Sequence, residues 1–295
     1  MGALHCIHAS AAGDDRPNLP DPESCLGGRY TILEYRRPSS ALMSPDLSFA
    51  ITSRTPNGGV ESAFDALNQR VVACERCPRL RRYCAEIAQK RRRAYRDEIY
   101  WGRPVPSFGD PAARVLLLGL APGAHGSNRT GRPFTGDGSG DFLYPVLYEA
   151  GFASQPGARS RDDGMRLSDL LITSVGRCAP PDNKPTPAEL ANCAGWLDEE
   201  IALLTRLRVV VCLGHIAWNG YLAHMRRKGH ATKLSDYPFR HGAEYDMPED
   251  VTLLGSYHPS LQNTNTGRLT REMFLDIFAR AQQLASRRAK KAARG

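Results

Sequence analysis

The sequence predicts an α/β protein, a three-layer α/β/α sandwich around a mostly parallel central sheet of about four strands. Short apolar runs bounded by turn residues recur at 114–118, 170–175, 209–213 and 252–257, the pattern of strands buried on both faces. Amphipathic segments separate these runs, and such alternation places helices on both faces of a parallel sheet. The segments that follow the four runs are the polar-rich ones, and open α/β sheets bind ligands beyond the carboxyl ends of their strands.

Taken in order, residues 1–58 carry scattered Pro, Gly, Ser and Asp with no periodicity beyond an apolar patch at Tyr30–Tyr35. They read as a poorly ordered N-terminal extension, in which Cys6 and Cys25 are incidental. A single domain is expected over 59–288. A helical pattern starts near Glu61 and leads into Cys74-Glu-Arg-Cys77-Pro; RRYCAEIAQKRRRAYRDE (81–98) then reads as a strongly basic helix. Its charge faces solvent in the simplest account. The gathering of Arg79, Arg81, Arg82 and Arg91 to Arg93 beside a cysteine pair leaves a phosphate-facing role open. The first strand runs into GLAPGAHGSNRTGRPFTGDGSG (119–140), with a helix expected over 141–150. Pro187 to Leu204 sets Leu190, Ala194, Leu197, Ile201 and Leu204 on one stripe, with Pro at its start and Glu189 in its first turn. Residues 215–227 and 268–288 complete the helices, and 289–295 form a basic tail.

At 295 residues the chain has room for one large or two ordinary domains. Its 39 basic and 31 acidic residues leave a charge of +8, which favours an anionic partner such as nucleic acid. No apolar run approaches a membrane span, and no charged segment followed by a long apolar core marks a secretory signal at the N-terminus. In a chain expected to be intracellular, eight cysteines point to metal binding or buried thiols rather than disulfides.

Seven glycines between 119 and 140 let the backbone approach a ligand closely. The same loop carries a base, an acid, cations and a ring: His125, Asn128, Arg129, Arg132, Asp137 and Phe134. It is not a known phosphate loop, since Gly126 precedes Ser-Asn rather than Lys-Ser/Thr and no G-x-G-x-x-G occurs. A generic anion-binding turn is the plain alternative. Cys74 and Cys77 form a C-x2-C pair, and Cys178 and Cys193 a candidate second pair; four thiolates suit zinc or an iron–sulfur cluster. Cys84 could displace one of them, whereas Cys212 inside an apolar strand reads as core. His258-Pro-Ser closes the last strand at the polar edge and is a candidate for catalysis or substrate contact. His125 and His215 are weaker candidates, and His125 could equally brace its own loop.

In this order and at these separations, C-x2-C, the 119–140 loop, CAPPDNKP (178–185) with Cys193, and HPSLQNTNTG (258–267) closely resemble family 5 of the uracil-DNA glycosylase superfamily. The resemblance covers about residues 70–285. Members of that family are α/β/α sandwiches that hold a [4Fe–4S] cluster on four cysteines and remove uracil and other deaminated bases from DNA. The resemblance implies Cys74, Cys77, Cys178 and Cys193 as cluster ligands, with Gly119, Ala121, His125 and Phe134 around the base. A glycosylase flips its target out of the stack, so Phe134 is the expected stacking platform. Asp137 is the expected carboxylate beside the sugar and the attacking water, His258 the donor to the departing base, and Asn183 a further contact to water or base. A helix cap is the other reading of Asp137. Arg129, Arg132, Ser139, Ser260 and Arg268 are expected at phosphates, and Leu261 as the wedge that fills the vacated stack.

Most of the superfamily has an acidic or amide residue directly after Gly119, where this chain and family 5 have an apolar residue, here Leu120. That increases the weight on Asp137, and a pocket with fewer fixed polar contacts should discriminate bases less sharply, hypoxanthine included. No lysine occurs in the loop, so no strand cleavage is expected. The expected partner is DNA carrying uracil or another deaminated base. The protein is expected to be a monomer, cytoplasmic and nucleoid-associated. Two other functions compete. A cluster-bearing module that binds uracil or DNA without turnover needs no carboxylate beside the sugar. A zinc-stabilised nucleotide hydrolase would differ in metal content and in acting on free nucleotides.

Overall fold

The computed structural model describes residues 58–292, all within the compact unit Ser53–Gly295. The expected extension thus lies outside the described residues, save for its last position. The four apolar runs form β2 (Val115–Gly119), β3 (Leu170–Ser174), β4 (Val209–Leu213) and β6 (Val251–Ser256), all parallel where they pair. Residues on both faces of these strands are buried, because each face of the sheet is covered by helices. Val115 and Leu117 of β2 face α4 (Gly138–Glu149) and α8 (Arg271–Ala292) through Leu143, Leu147, Phe274 and Phe278. Leu116 and Leu118 face α5 (Pro187–Leu203) and α6 (His215–Arg227) through Leu197, Ile201, Trp218 and Leu222. Full burial of a leucine contributes about 1.5–3 kcal/mol, so this alternation fixes the register of the sheet between its two helical layers.

The sheet has six strands among the described residues rather than about four, in the order β1-β3-β2-β4-β6-β5. The two additions, β1 (Phe108–Gly109) and β5 (Glu244–Met247), are antiparallel edges. β1 is too short to show a period. β5 is a polar edge that buries only Met247.

The basic helix is shorter than expected. After α1 (Gly58–Val72), α2 spans Pro78–Lys90 and stops where Arg91 turns to φ 46; one 3-10 turn follows at Arg93–Tyr95. The 268–288 helix instead starts at Arg271 and runs to Ala292, taking in residues read as tail, after a separate short α7 (Leu261–Asn265). α5 starts as its sequence requires, with Pro187 in the first turn and a capping box between Thr186 and Glu189. It buries a second face beyond the expected stripe, Cys193, Trp196 and Glu200.

Candidate active site

β2 ends at Gly119, and the loop beyond it returns at Asp137, the N-cap of α4. Oδ1 of Asp137 accepts the N–H groups of Ser139 (3.1 Å) and Gly140 (3.0 Å). Oδ2 lies against the loop backbone. A Cβ on Gly126 would overlap it, and one on Gly123 would come within 3.0 Å. Both glycines are therefore what lets a carboxylate sit inside this loop. Burial raises the pKa of Asp137; the N–H groups of Gly140 and Ser139 pull it back, Asp141 adds to it and Arg129 opposes it. One oxygen caps the helix, while no hydrogen bond engages the other among the described residues.

Phe134 holds φ 50, a costly conformation for a side chain of this size, and its N–H donates to Ser127 Oγ at 3.1 Å. Its ring lies over the end of β2, where a Cβ on Gly119 would be 3.2 Å from Cζ. Across from it stands His258, in the turn after β6, with ring centroids 5.9 Å apart and planes at 36°. Asn263 Nδ2 donates to the His258 carbonyl at 2.8 Å. Among the described residues, no hydrogen bond engages the imidazole itself. His258 keeps some solvent exposure as a residue, yet burial of the ring pushes its pKa down to about 4. At neutral pH it is an uncharged imidazole with one N–H to give.

The two loop arginines are not where a phosphate could use them. Arg129 is buried, pairs with Glu98, donates to the carbonyls of His125 (2.8 Å) and Gly136 (2.6 Å), and lies over the Tyr95 ring at 3.9 Å. Arg132 makes a bidentate pair with Asp163 (2.8 and 2.7 Å) and donates to Thr135 Oγ1 at 2.9 Å. Burial alone would raise the Asp163 pKa, but Arg132 and the N–H groups of Met165, Arg159 and Ser160 hold it well below the usual carboxylate range. Their expected phosphate contacts are corrected on that ground: both guanidinium groups are already satisfied inside the protein and brace the loop.

The other expected residues are spread along the same edge. His125 Nδ1 meets the Tyr100 hydroxyl at 3.1 Å, and Ala121 sits on the loop facing Gly176. Ser139 gives its N–H to the Asp137 cap, and Ser260 caps α7 through Asn263 N–H at 3.4 Å. Leu261 is 59% exposed and lies against Gly138. Arg268 lies over the Tyr257 ring at 4.6 Å. Asn183 is on an exposed turn at φ 56, and no hydrogen bond joins its side chain to Asp137, Phe134 or His258. Ser174, absent from the expectations, pairs in register with Gly119 and donates to the Gly176 carbonyl at 2.6 Å. Its signal is that of a polar residue next to the end of the apolar run at 170–175.

Cys74 and Cys77 occupy the turn between α1 and α2, Cys178 the loop after β3, and Cys193 the buried face of α5. Cys77 and Cys178 share a buried cluster with Leu80, Cys84 and Ala179; Cys193 packs with Trp196, with Cys74 against them. All are free thiols, and Asn192 Nδ2 donates to Cys77 Sγ at 3.5 Å. Cys84 donates to the Ala179 carbonyl at 3.6 Å. Among the described residues no set of three or more His, Cys, Asp or Glu closes around a single ion. Buried donors without partners adjoin these thiols, namely Trp196 Nε1 and the Nε and Nη1 of Arg177, whose Nη2 pairs with Glu200. Sulfur acceptors would satisfy such donors, so the residues fit a thiolate-bound cluster.

The profile of the Uracil DNA glycosylase superfamily matches residues 106–282. A protein of Thermus thermophilus named Type-5 uracil-DNA glycosylase is 56% identical over 75% of this chain and 98% of its own length. Relatives of the same name are 47% identical in Mycobacterium bovis, over 77% of this chain and 84% of theirs, and 45% in Pyrobaculum aerophilum, over 77% and 94%.

Proposed function

The chain belongs to the uracil-DNA glycosylase superfamily, and from that premise we propose that it excises uracil from DNA by hydrolysing the N-glycosidic bond. The observation that carries the reading is the division of labour at Asp137, one oxygen engaged in the helix cap and the other, beside Gly123 and Gly126, free of any hydrogen bond among the described residues.

The flipped base stacks on Phe134, whose ring is held rigidly between Gly119 and His258. As the glycosidic bond breaks, positive charge grows on the sugar and negative charge on the base. The Asp137 carboxylate stabilises the first and orients the attacking water. Neutral His258 donates its N–H to the base oxygen that gains charge, without first having to lose a proton. The cap holds the Asp137 carboxylate in place before reaction, which is where preorganised electrostatics act most strongly. Release of the base leaves an abasic site, and with no lysine between Gly119 and Gly140 the strand stays intact.

The range of bases extends, in this reading, to hypoxanthine. The loop opens with Gly119, Leu120 and Ala121, and so lacks, directly after Gly119, a fixed polar group that would reject a wrong base. A [4Fe–4S] cluster on Cys74, Cys77, Cys178 and Cys193 would be a structural staple, tying the α1–α2 turn and α5 to the loop after β3. Incubation with duplexes carrying uracil or hypoxanthine, followed by alkali, tests the reading. Cleavage after alkali and none before it supports a monofunctional glycosylase. Tight binding of the uracil duplex with no alkali-labile product would leave a binding module instead.

A further inference from the structure

Residues 91–99 form an exposed stretch with four arginines beside the loop, whose own arginines are engaged within the protein. Within it Arg91 is taken, donating through Nη1 to the Arg96 carbonyl (2.7 Å), and Arg96 faces Asp97 (3.6 Å). Glu98 is neutralised by Arg129. The side chains of Arg92 and Arg93 are exposed, and no hydrogen bond or ion pair engages either of them among the described residues. Next to them Ile99 is 89% exposed, the most exposed large apolar side chain described. A single exposed aliphatic is ordinary. This one stands on a segment bolted to the active-site loop. Tyr100 OH accepts the Arg92 N–H (3.3 Å) and meets His125 (3.1 Å). The N–H groups of Trp101 and Gly102 donate to the Arg129 and Asn128 carbonyls at 2.8 and 3.0 Å. Arg92 is close enough that its charge, after burial and together with Arg129, depresses the pKa of His125. Leu261 stands against Gly138 near the end of the loop; Ile99 directly precedes Tyr100, whose hydroxyl meets His125 within the loop.

Resting on the glycosylase reading, we propose that residues 91–99 form a second DNA-gripping element, in which Arg92 and Arg93 hold backbone phosphates and Ile99 wedges into the base stack. Unpaired guanidinium groups on a rigid rim are suited to phosphates. An aliphatic wedge lowers the cost of unstacking by occupying the space that opens beside the flipped nucleotide. Two wedges, one beside Gly138 and one on the segment bonded to Asn128 and Arg129, would hold the duplex bent.

The test uses the full chain and a short duplex with one uracil, alongside the same strand unpaired. Removing two phosphate contacts, in the double variant Arg92→Ala/Arg93→Ala, should flatten the slope of log affinity against log salt by about 1.8. Its affinity loss between about 50 and 200 mM salt should then be roughly twelvefold smaller than the parent's. Ile99→Ala should slow single-turnover excision from the duplex several-fold and leave excision from the single strand near the parent rate, since the single strand has no paired stack to open. An unchanged salt slope, or an Ile99→Ala effect equal on both substrates or absent from both, overturns the proposal. Failure of the parent protein to excise uracil from either substrate removes the glycosylase reading itself, and the gripping element with it.

Discussion

Replacing Asp137 by asparagine separates its two roles. Asparagine keeps an oxygen for the Ser139 and Gly140 N–H groups, so the cap of α4 survives, and it keeps the shape that fits against Gly123 and Gly126. Only the charge is lost. If that charge works in the transition state, single-turnover excision should fall by about 10²–10³, or roughly 2.7–4 kcal/mol of barrier, while binding of uracil-containing DNA is largely kept. Stability should move the other way. Burial raises the folded-state pKa of Asp137 above its unfolded value, so the unfolded chain loses this proton first as pH rises. The group therefore lowers stability once pH climbs past the unfolded value, and the neutral amide removes that penalty. The variant should melt at the parent temperature or slightly above it at pH 7. Asp137→Ala, which also loses the cap, should be destabilised by about 1 kcal/mol. The same raised pKa moves the acid limb of the excision profile up from where an ordinary aspartate would put it, and that limb should vanish in Asp137→Asn. Near-parent excision by Asp137→Asn on uracil and hypoxanthine alike would leave Asp137 a helix cap and refute the mechanism.

Three further outcomes are expected. Arg132→Ala breaks a buried bidentate pair and should cost about 3–5 kcal/mol in thermal or urea unfolding. Because the Asp163 pKa is depressed, the contribution is present above about pH 4 and fades as pH falls below it. A variant that melts like the parent but binds DNA with a flatter salt slope would restore Arg132 to the phosphates. His258→Ala should slow excision by an amount that shrinks as the base becomes a better leaving group; an equal penalty for every base would remove the donor role. With its pKa at about 4 against an ordinary value near 6.5, the unfolded chain takes up this proton first as pH drops. Stability should accordingly decline from pH 6.5 toward 4, and His258→Gln should flatten that decline. Purified protein should carry iron and labile sulfide. Trp196→Phe, which deletes the unpartnered N–H together with the five-membered ring, should give up its iron to a chelator faster, in line with the roughly 10–100-fold effect of outer-shell partners on metal affinity. Equal rates of loss would mean that Trp196 does not bond to the cluster's sulfur.

What the sequence reveals and what it hides follow from where each partner lies along the chain. β2, β3, β4 and β6 are legible because burial on both faces leaves unbroken apolar runs, whereas β5 carries Glu244 and Asp246 at an edge and β1 has two residues. Asp137 is legible as a cap and as a candidate acid because both roles depend on near neighbours. The purpose of individual glycines is not, since only folding shows that Gly123 and Gly126 make room for Oδ2 while Gly119 makes room for the Phe134 ring. The arginines mislead for the same reason. Glu98 and Asp163, which neutralise Arg129 and Arg132, each lie 31 residues away, one before the loop and one after it. In a linear reading an arginine on a glycine-rich loop therefore resembles a phosphate ligand whether or not a distant carboxylate claims it. Two arginines held by carboxylates make the loop a braced frame around Asp137, which the transition-state role proposed for it requires more than it requires local positive charge. The cations that meet DNA must then stand outside that frame, and Arg92 and Arg93, unpaired and fastened to its rim through Tyr100, are placed to supply them.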